Sequence, residues 1–125
     1  MIFLIAASAF SIRALATKKK NPPSPLQVEK MVLYYGSSCP HCKIVEEYLQ
    51  KNNSSDQFGI VQKEVWSGQT NQDEFVQKAR ACGLDLDNLG VPMLWDAATS
   101  KCYMGDQPII EFLKDRSGQS QQYEK

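Results

Sequence analysis

Histidine occurs once in this chain of 125 residues, cysteine four times, and neither sign of charge is in excess. Four cysteines are too few to define a disulfide scaffold. A structural zinc site needs four ligands, commonly as two paired clusters; the only histidine, His41, sits inside one cysteine pair, and Cys82 and Cys102 form no second knuckle. The formal net charge is zero, and residues 26–125 hold ten bases against all fourteen acids. A mildly acidic domain does not present the basic face that nucleic acid requires. No internal repeat is visible. The longest apolar run, Ile2–Ile12, has eleven residues, about half of the roughly 20 that span a bilayer. With 42% hydrophobic and 22% charged residues, the chain has a globular composition and the length for one domain.

The termini differ from the middle. Ile2–Ile12 has the length of a signal-peptide apolar segment, and Ala14-Leu15-Ala16 resembles a small-x-small cleavage site. Residues 1–16 are therefore read as a targeting or anchor segment and 17–25, with Lys18-Lys19-Lys20 and Pro22-Pro23-Ser24-Pro25, as a basic, proline-rich spacer. The expected domain is 26–117, with a flexible tail at 118–125. Export or membrane anchoring follows, the lysine triplet pointing to the cytoplasmic alternative.

What the chain does have is Cys39-Pro40-His41-Cys42. Two thiols at this spacing can close into one reversible disulfide. The apolar stretch Met31–Gly36 before it reads as a buried strand, and Lys43–Gln50 after it as an amphipathic helix. In a strand–loop–helix setting a Cys-x-x-Cys reads as a redox centre. At a helix N-terminus the unpaired N–H groups favour a thiolate and lower its pKa from about 8.5 into the range of roughly 3.5–7.5. Cys39 is therefore the expected nucleophile. Cys42, one turn in, is the thiol that resolves the mixed disulfide. Protonated His41 would add positive charge beside the thiolate, stabilise the reduced form and make the disulfide more oxidising. Pro40 suits the first helical position.

Further along, Ile60–Trp66 reads as a strand. Thr70–Glu74 opens a helix with Phe75, Val76, Ala79 and Cys82 on one stripe and Gly83 as its stop. Val91–Trp95 and Lys101–Met104 read as strands joined by a short turn, and Gly105-Asp106-Gln107-Pro108 opens a last helix with Ile109, Ile110, Phe112 and Leu113 inward. The expected fold class is α/β, in the order β-α-β-α-β-β-α. Its first two strands are parallel, its last two antiparallel, in one mixed four-stranded sheet. Trp66, Trp95, Tyr34 and Tyr35 are expected as packing residues. Cys82 is expected as a core cysteine, with a Cys82–Cys102 bond disfavoured by placing the two at opposite edges of the sheet.

The element order, the position of the Cys-x-x-Cys and the Val91-Pro92 step before the third strand resemble the glutaredoxins of the thioredoxin-fold superfamily, over roughly residues 30–116. The Cys-Pro-His-Cys tetrapeptide is similar to that of the DsbA oxidases. The resemblance implies a cis peptide at Val91-Pro92 beside the dithiol, with the Val91 backbone pairing to an extended substrate. It also implies that Gly105 and Asp106 receive a glutathione amine, although the lysine that glutaredoxins carry before the first cysteine is replaced here by Gly36-Ser37-Ser38. The implied function is thiol-disulfide oxidoreduction through Cys39 and Cys42, in cell redox homeostasis, poised toward the oxidising end. The resemblance calls for no cofactor and no metal, and glutathione enters only as a co-substrate. Expected partners are disulfide-containing proteins or small thiols and a membrane redox partner; the chain is expected to be a monomer. The alternatives are a Cu(I)- or zinc-binding module using the same thiolates and an interaction domain whose dithiol is incidental.

Overall fold

The computed structural model describes residues 31–120, so the expected targeting segment, spacer and last five residues lie outside the described residues. Met31-Val32-Leu33-Tyr34 are all buried. That is the pattern of a strand covered on both faces, and Met31–Tyr35 forms β1 at the centre of a four-stranded sheet, with order β2-β1-β3-β4. β2 (Ile60–Glu64) runs parallel to β1, β3 (Met93–Asp96) antiparallel to it, and β4 (Lys101–Met104) antiparallel to β3. The α/β architecture with a mixed four-stranded sheet is as expected, and its arrangement is compatible with a thioredoxin-like fold.

Strand alternation divides the core in two. Met31, Leu33, Ile60 and Leu94 face one side and pack against Val45 and Leu49 of α1 (Pro40–Lys51) and Ile109 and Leu113 of α4 (Asp106–Ser120). Val32, Tyr34 and Met93 face the other side and pack against Phe75 and Ala79 of α3 (Gln69–Ala81). Truncating one of these fully buried side chains, such as Leu33→Ala, costs about 2–5 kcal/mol. Two polar clasps tie the layers. Tyr34 donates to Glu74 Oε1 at 2.7 Å, and Lys63 Nζ meets the same carboxylate at 2.9 Å. At the other end, buried Asp96 accepts from Thr99 Oγ1 at 2.7 Å and Ala98 N at 3.2 Å, holding the β3–β4 turn, with Arg116 at 3.7 Å.

Several boundaries differ from the sequence expectation. A short helix, α2 (Ser54–Phe58), stands between α1 and β2, where the expected element order has none; Asn53 in the left-handed region (φ 49°) re-aims the chain before it. β2 ends at Glu64, because Val65 still donates to Tyr35 O at 2.9 Å but Trp66 turns outward. β3 begins after Pro92 rather than at Val91. α4 continues to Ser120, past the expected domain end at 117. No helix among the described residues is long and apolar enough to cross a membrane.

The largest correction concerns Cys82 and Cys102. They form a disulfide, with Cα atoms 5.9 Å apart. The expectation failed on helix direction. α3 starts where β2 ends, at the dithiol end of the sheet, and runs back along it, so Cys82 arrives at the opposite end. There β4 begins, and Cys102 shares a sheet face with its cross-strand neighbours Trp95 and Val32. The stripe of Phe75, Ala79 and Cys82 thus delivers Cys82 to Cys102. Residues 83–92, including a 3-10 turn at Leu86–Asn88, then carry the chain back to the dithiol.

Candidate active site

α1 begins where a strand end, a tight turn and a proline coincide. The Cys39 N–H donates to Gly36 O at 3.2 Å, closing the turn after β1, and Pro40 occupies the first helical turn. Cys39 is the N-cap, in extended backbone (φ −84°, ψ 115°), and its Sγ accepts the N–H of Cys42 at 3.2 Å. A sulfur thus fills the place usually taken by a serine or aspartate oxygen. Cys39 and Cys42 are joined as a disulfide, with Cα atoms 5.2 Å apart. Cys42 is 1% exposed and Cys39 8%. The outer sulfur is the one a substrate meets first, and the inner one lies behind it.

Val91-Pro92 is cis. The Val91 carbonyl oxygen lies 3.7 Å from Cys39 Sγ, and Pro92 O accepts the N–H of Gly105 at 2.9 Å. Those contacts draw the start of α4 to the dithiol. The sequence-predicted set of Cys39, His41, Cys42, Val91, Pro92, Gly105 and Asp106 therefore gathers at one end of the sheet.

Within that set His41 differs from expectation in its surroundings. Its side chain is 68% exposed, and its Nδ1 lies 3.5 Å from Asp106 Oδ1, a carboxylate that is 17% exposed. Burial works against ionisation of Asp106, but hydrogen bonds from His41 and from the backbone N–H groups of Gln107 and Asp106 itself outweigh it and hold the carboxyl below its ordinary range. A protonated imidazole here faces a counter-charge, so its field at Cys39 is reduced. Asp106 is already engaged by His41, which competes with the amine-binding role implied by the resemblance.

Two neighbours are not marked by the sequence pattern. Trp66, expected as a packing residue, is 57% exposed and packs its indole over Gly36, where an added Cβ would collide with the ring. Only glycine leaves room for the ring at that point. Glu64 fastens the same corner: its carboxylate accepts the N–H groups of Trp66 and Ser67 at 2.9 Å and of Ser37 at 3.3 Å, and the Ser67 hydroxyl. The Ser67 hydroxyl and N–H are the main cause, with smaller help from Trp66 and Ser37, of a carboxyl pKa lowered from 4.5 to about 2 against opposing burial. The loop before Cys39 is thereby tied to the loop after β2. Between that corner and Leu89-Gly90-Val91 runs a groove of about 490 Å³ with Cys39 on its wall. An aromatic residue within the turn-forming Trp66-Ser67-Gly68, where no apolar periodicity calls for one, is the signal that could have exposed it.

Among the described residues, no three His, Cys, Asp or Glu side chains gather as a metal site. Cys82 and Cys102 are bonded to each other rather than available to complete one with Cys39 and Cys42. In comparisons with known proteins, no family model, curated protein or solved structure matches this chain.

Proposed function

We propose that the protein is a glutaredoxin-like thiol-disulfide oxidoreductase that works through Cys39 and Cys42. The observation that carries this reading is the N-cap sulfur: Cys39 Sγ receives the Cys42 N–H at 3.2 Å, with Cys42 buried directly behind it. A negative charge developing on that sulfur meets the positive end of α1, which is how a helix lowers a thiol pKa.

In the oxidising direction, a substrate thiolate attacks Cys39 Sγ. A substrate–Cys39 bond forms, the Cys39–Cys42 bond breaks, and the electron pair leaves on Cys42. A second substrate thiolate then attacks the substrate sulfur of the mixed disulfide and expels Cys39 as a thiolate. The substrate loses two electrons and the protein gains them; a disulfide-bearing redox partner reverses the change. Stabilisation of the Cys39 thiolate favours both its expulsion and the reduced protein, and so an oxidising role. The Val91 backbone, 3.7 Å from Cys39 Sγ, is the edge against which an extended substrate would pair.

The setting in the cell belongs to the same proposal. Cys82–Cys102 supports an exported or membrane-anchored protein, because structural disulfides persist in oxidising compartments and are rare in the cytosol. Turnover of insulin or of a mixed disulfide, with Cys39→Ser as control, tests the activity; equal rates for the two proteins would sink it. Protease accessibility of the domain in fractionated cells tests the compartment, and a cytoplasmic location would shift the assignment toward a reductase.

A further inference from the structure

The groove beside the dithiol has chemistry that the resemblance does not account for. Its walls are Val65, Trp66, Phe75, Leu89 and Val91, with Gln72 as the polar side chain, and none of its lining residues is charged. Glutathione carries two carboxylates and an ammonium at neutral pH. Placed here, those charges would lose water without gaining a charged partner, which is costly. The nearby carboxylate that could take the ammonium, Asp106, is paired with His41. An apolar side chain suffers no such loss and gains by leaving water.

The groove is also held open by its own construction. Trp66 stands 57% exposed because its face rests on Gly36 and its backbone is tied by Glu64, rather than because it has failed to find the core. Phe75 is fixed from behind by Tyr34, with ring centroids 5.5 Å apart. Whatever is covalently joined to Cys39 in the mixed disulfide must have its neighbouring atoms in or beside this groove, since Cys39 lines it.

We propose that the groove reads a bulky apolar side chain flanking the cysteine of a polypeptide substrate, with Trp66 as the specificity-determining residue, and that glutathione is a poor substrate. The inference rests on the oxidoreductase reading and narrows its substrate class to apolar cysteine-bearing segments of protein. It is best read in the attacking direction: reduced Cys39 thiolate attacks the peptide sulfur of a peptide–aryl disulfide, the Cys39–peptide bond forms, the peptide–aryl S–S bond breaks, and the electron pair departs on the aryl thiolate.

The test uses the full chain, reduced, and two hexapeptides that differ only in Phe or Ser beside the cysteine, each disulfide-linked to the same aromatic thiol. The second-order rate of aryl thiolate release is measured for both and for glutathione linked to the same aromatic thiol, so that the leaving group is common to all three. The expected result is a Phe-over-Ser preference of about tenfold or more, the scale on which apolar pockets discriminate. It should fall to within about twofold in Trp66→Ala, and equally in Gly36→Ala, which keeps the tryptophan but displaces the ring; Trp66→Phe should retain most of it. No preference in the wild type, a preference that survives Trp66→Ala and Gly36→Ala, or faster reaction with the glutathione–aryl disulfide than with the Phe peptide would each overturn the inference. Absence of exchange with every disulfide would overturn the oxidoreductase reading, and this inference with it.

Discussion

Cys39–Cys42 and Cys82–Cys102 are the same chemical bond at the two ends of one sheet, and their surroundings set them different tasks. The first closes within one helical turn, its outer sulfur capping a helix N-terminus beside an open groove. It holds together nothing that α1 does not already hold. The second joins residues twenty apart, from the end of α3 to the start of β4. It encloses the returning segment 83–92, β3 and the Val91-Pro92 step, and it lies at the C-terminal end of α3 rather than at a helix N-terminus. Reactivity comes from what can stabilise a departing thiolate. Stabilisation of the fold comes from how much chain the bond constrains. A bond can be good at one and indifferent to the other.

The largest expected effect separates the two at once. Cys39→Ser should abolish disulfide exchange, whereas Cys82→Ser/Cys102→Ser should keep the exchange rate within a few-fold, both read in the same turnover assay. Comparable losses of rate from the two changes would erase the division of labour. Stability should show the reverse. Closing a loop of this length removes unfolded-chain entropy worth about 3 kcal/mol, so the Cys82→Ser/Cys102→Ser variant should lose about that much in denaturant titration, with m rising as the unfolded chain expands. Cys39→Ser/Cys42→Ser, spanning three residues, should lose much less.

A smaller effect tests the electrostatics of the reactive end. His41 and Asp106 form an exposed-to-partly-exposed pair, and solvent screening leaves such pairs little net effect. The dithiol–disulfide equilibrium against a glutathione buffer should therefore move by no more than about fivefold in either variant. The signs should differ: His41→Ala removes the group that can be positive and favours the disulfide, while Asp106→Asn removes a negative charge and favours the thiolate-bearing reduced form. Shifts of the same sign would break the picture of opposed charges over the dithiol. The far bond should be untouched by either substitution, which mass spectrometry after graded reduction would show.

The same contrast marks how far the chain could be read without coordinates. Strand β1, the dithiol, its helix and the order of the larger elements were legible because local signals agree: an unbroken apolar run, a proline at the first helical position, and helical spacing from Val45 to Leu49. Gly83 and the stripe of Phe75, Ala79 and Cys82 were equally plain, yet the bond they lead to was missed. A stripe tells which face of a helix is inward but not which end of the sheet it reaches, and that depends on the return path through 83–92. α2 was hidden because five residues carry too little periodicity to register. Trp66 and Glu64 were hidden for a related reason: their partners, Gly36 and the Ser37 N–H, are about thirty residues earlier. Val91-Pro92 became legible only through the resemblance, since a proline in isolation reads as trans.

Each end of the sheet also has a carboxylate that holds a turn, and the smallest expected effect lies in the difference between them. Asp96 is buried and holds the β3–β4 turn at the far end through Thr99 and Ala98. Glu64 lies toward solvent and holds the dithiol corner through Ser37, Trp66 and Ser67. The Glu64 carboxyl is lowered in the folded protein from 4.5 to about 2, first by the Ser67 hydrogen bonds. A depressed carboxyl pKa contributes stability that is fully present above the unfolded value and is lost as pH falls through the folded one. Glu64→Gln keeps an oxygen acceptor but cannot ionise, so it should be slightly less stable than wild type at pH 6–7. The gap should narrow as pH falls from about 4.5 and close near pH 2. Because Asp106, Glu74 and Asp85 are also lowered, wild-type acid stability alone is not diagnostic; the difference between the two proteins isolates Glu64. Amide exchange at Ser37 and Ser67 should speed up in the variant at neutral pH, while exchange at Ala98 in the Asp96 turn stays the same. A gap that does not change with pH, or faster exchange at both ends alike, would mean that Glu64 does not hold the dithiol corner through its charge.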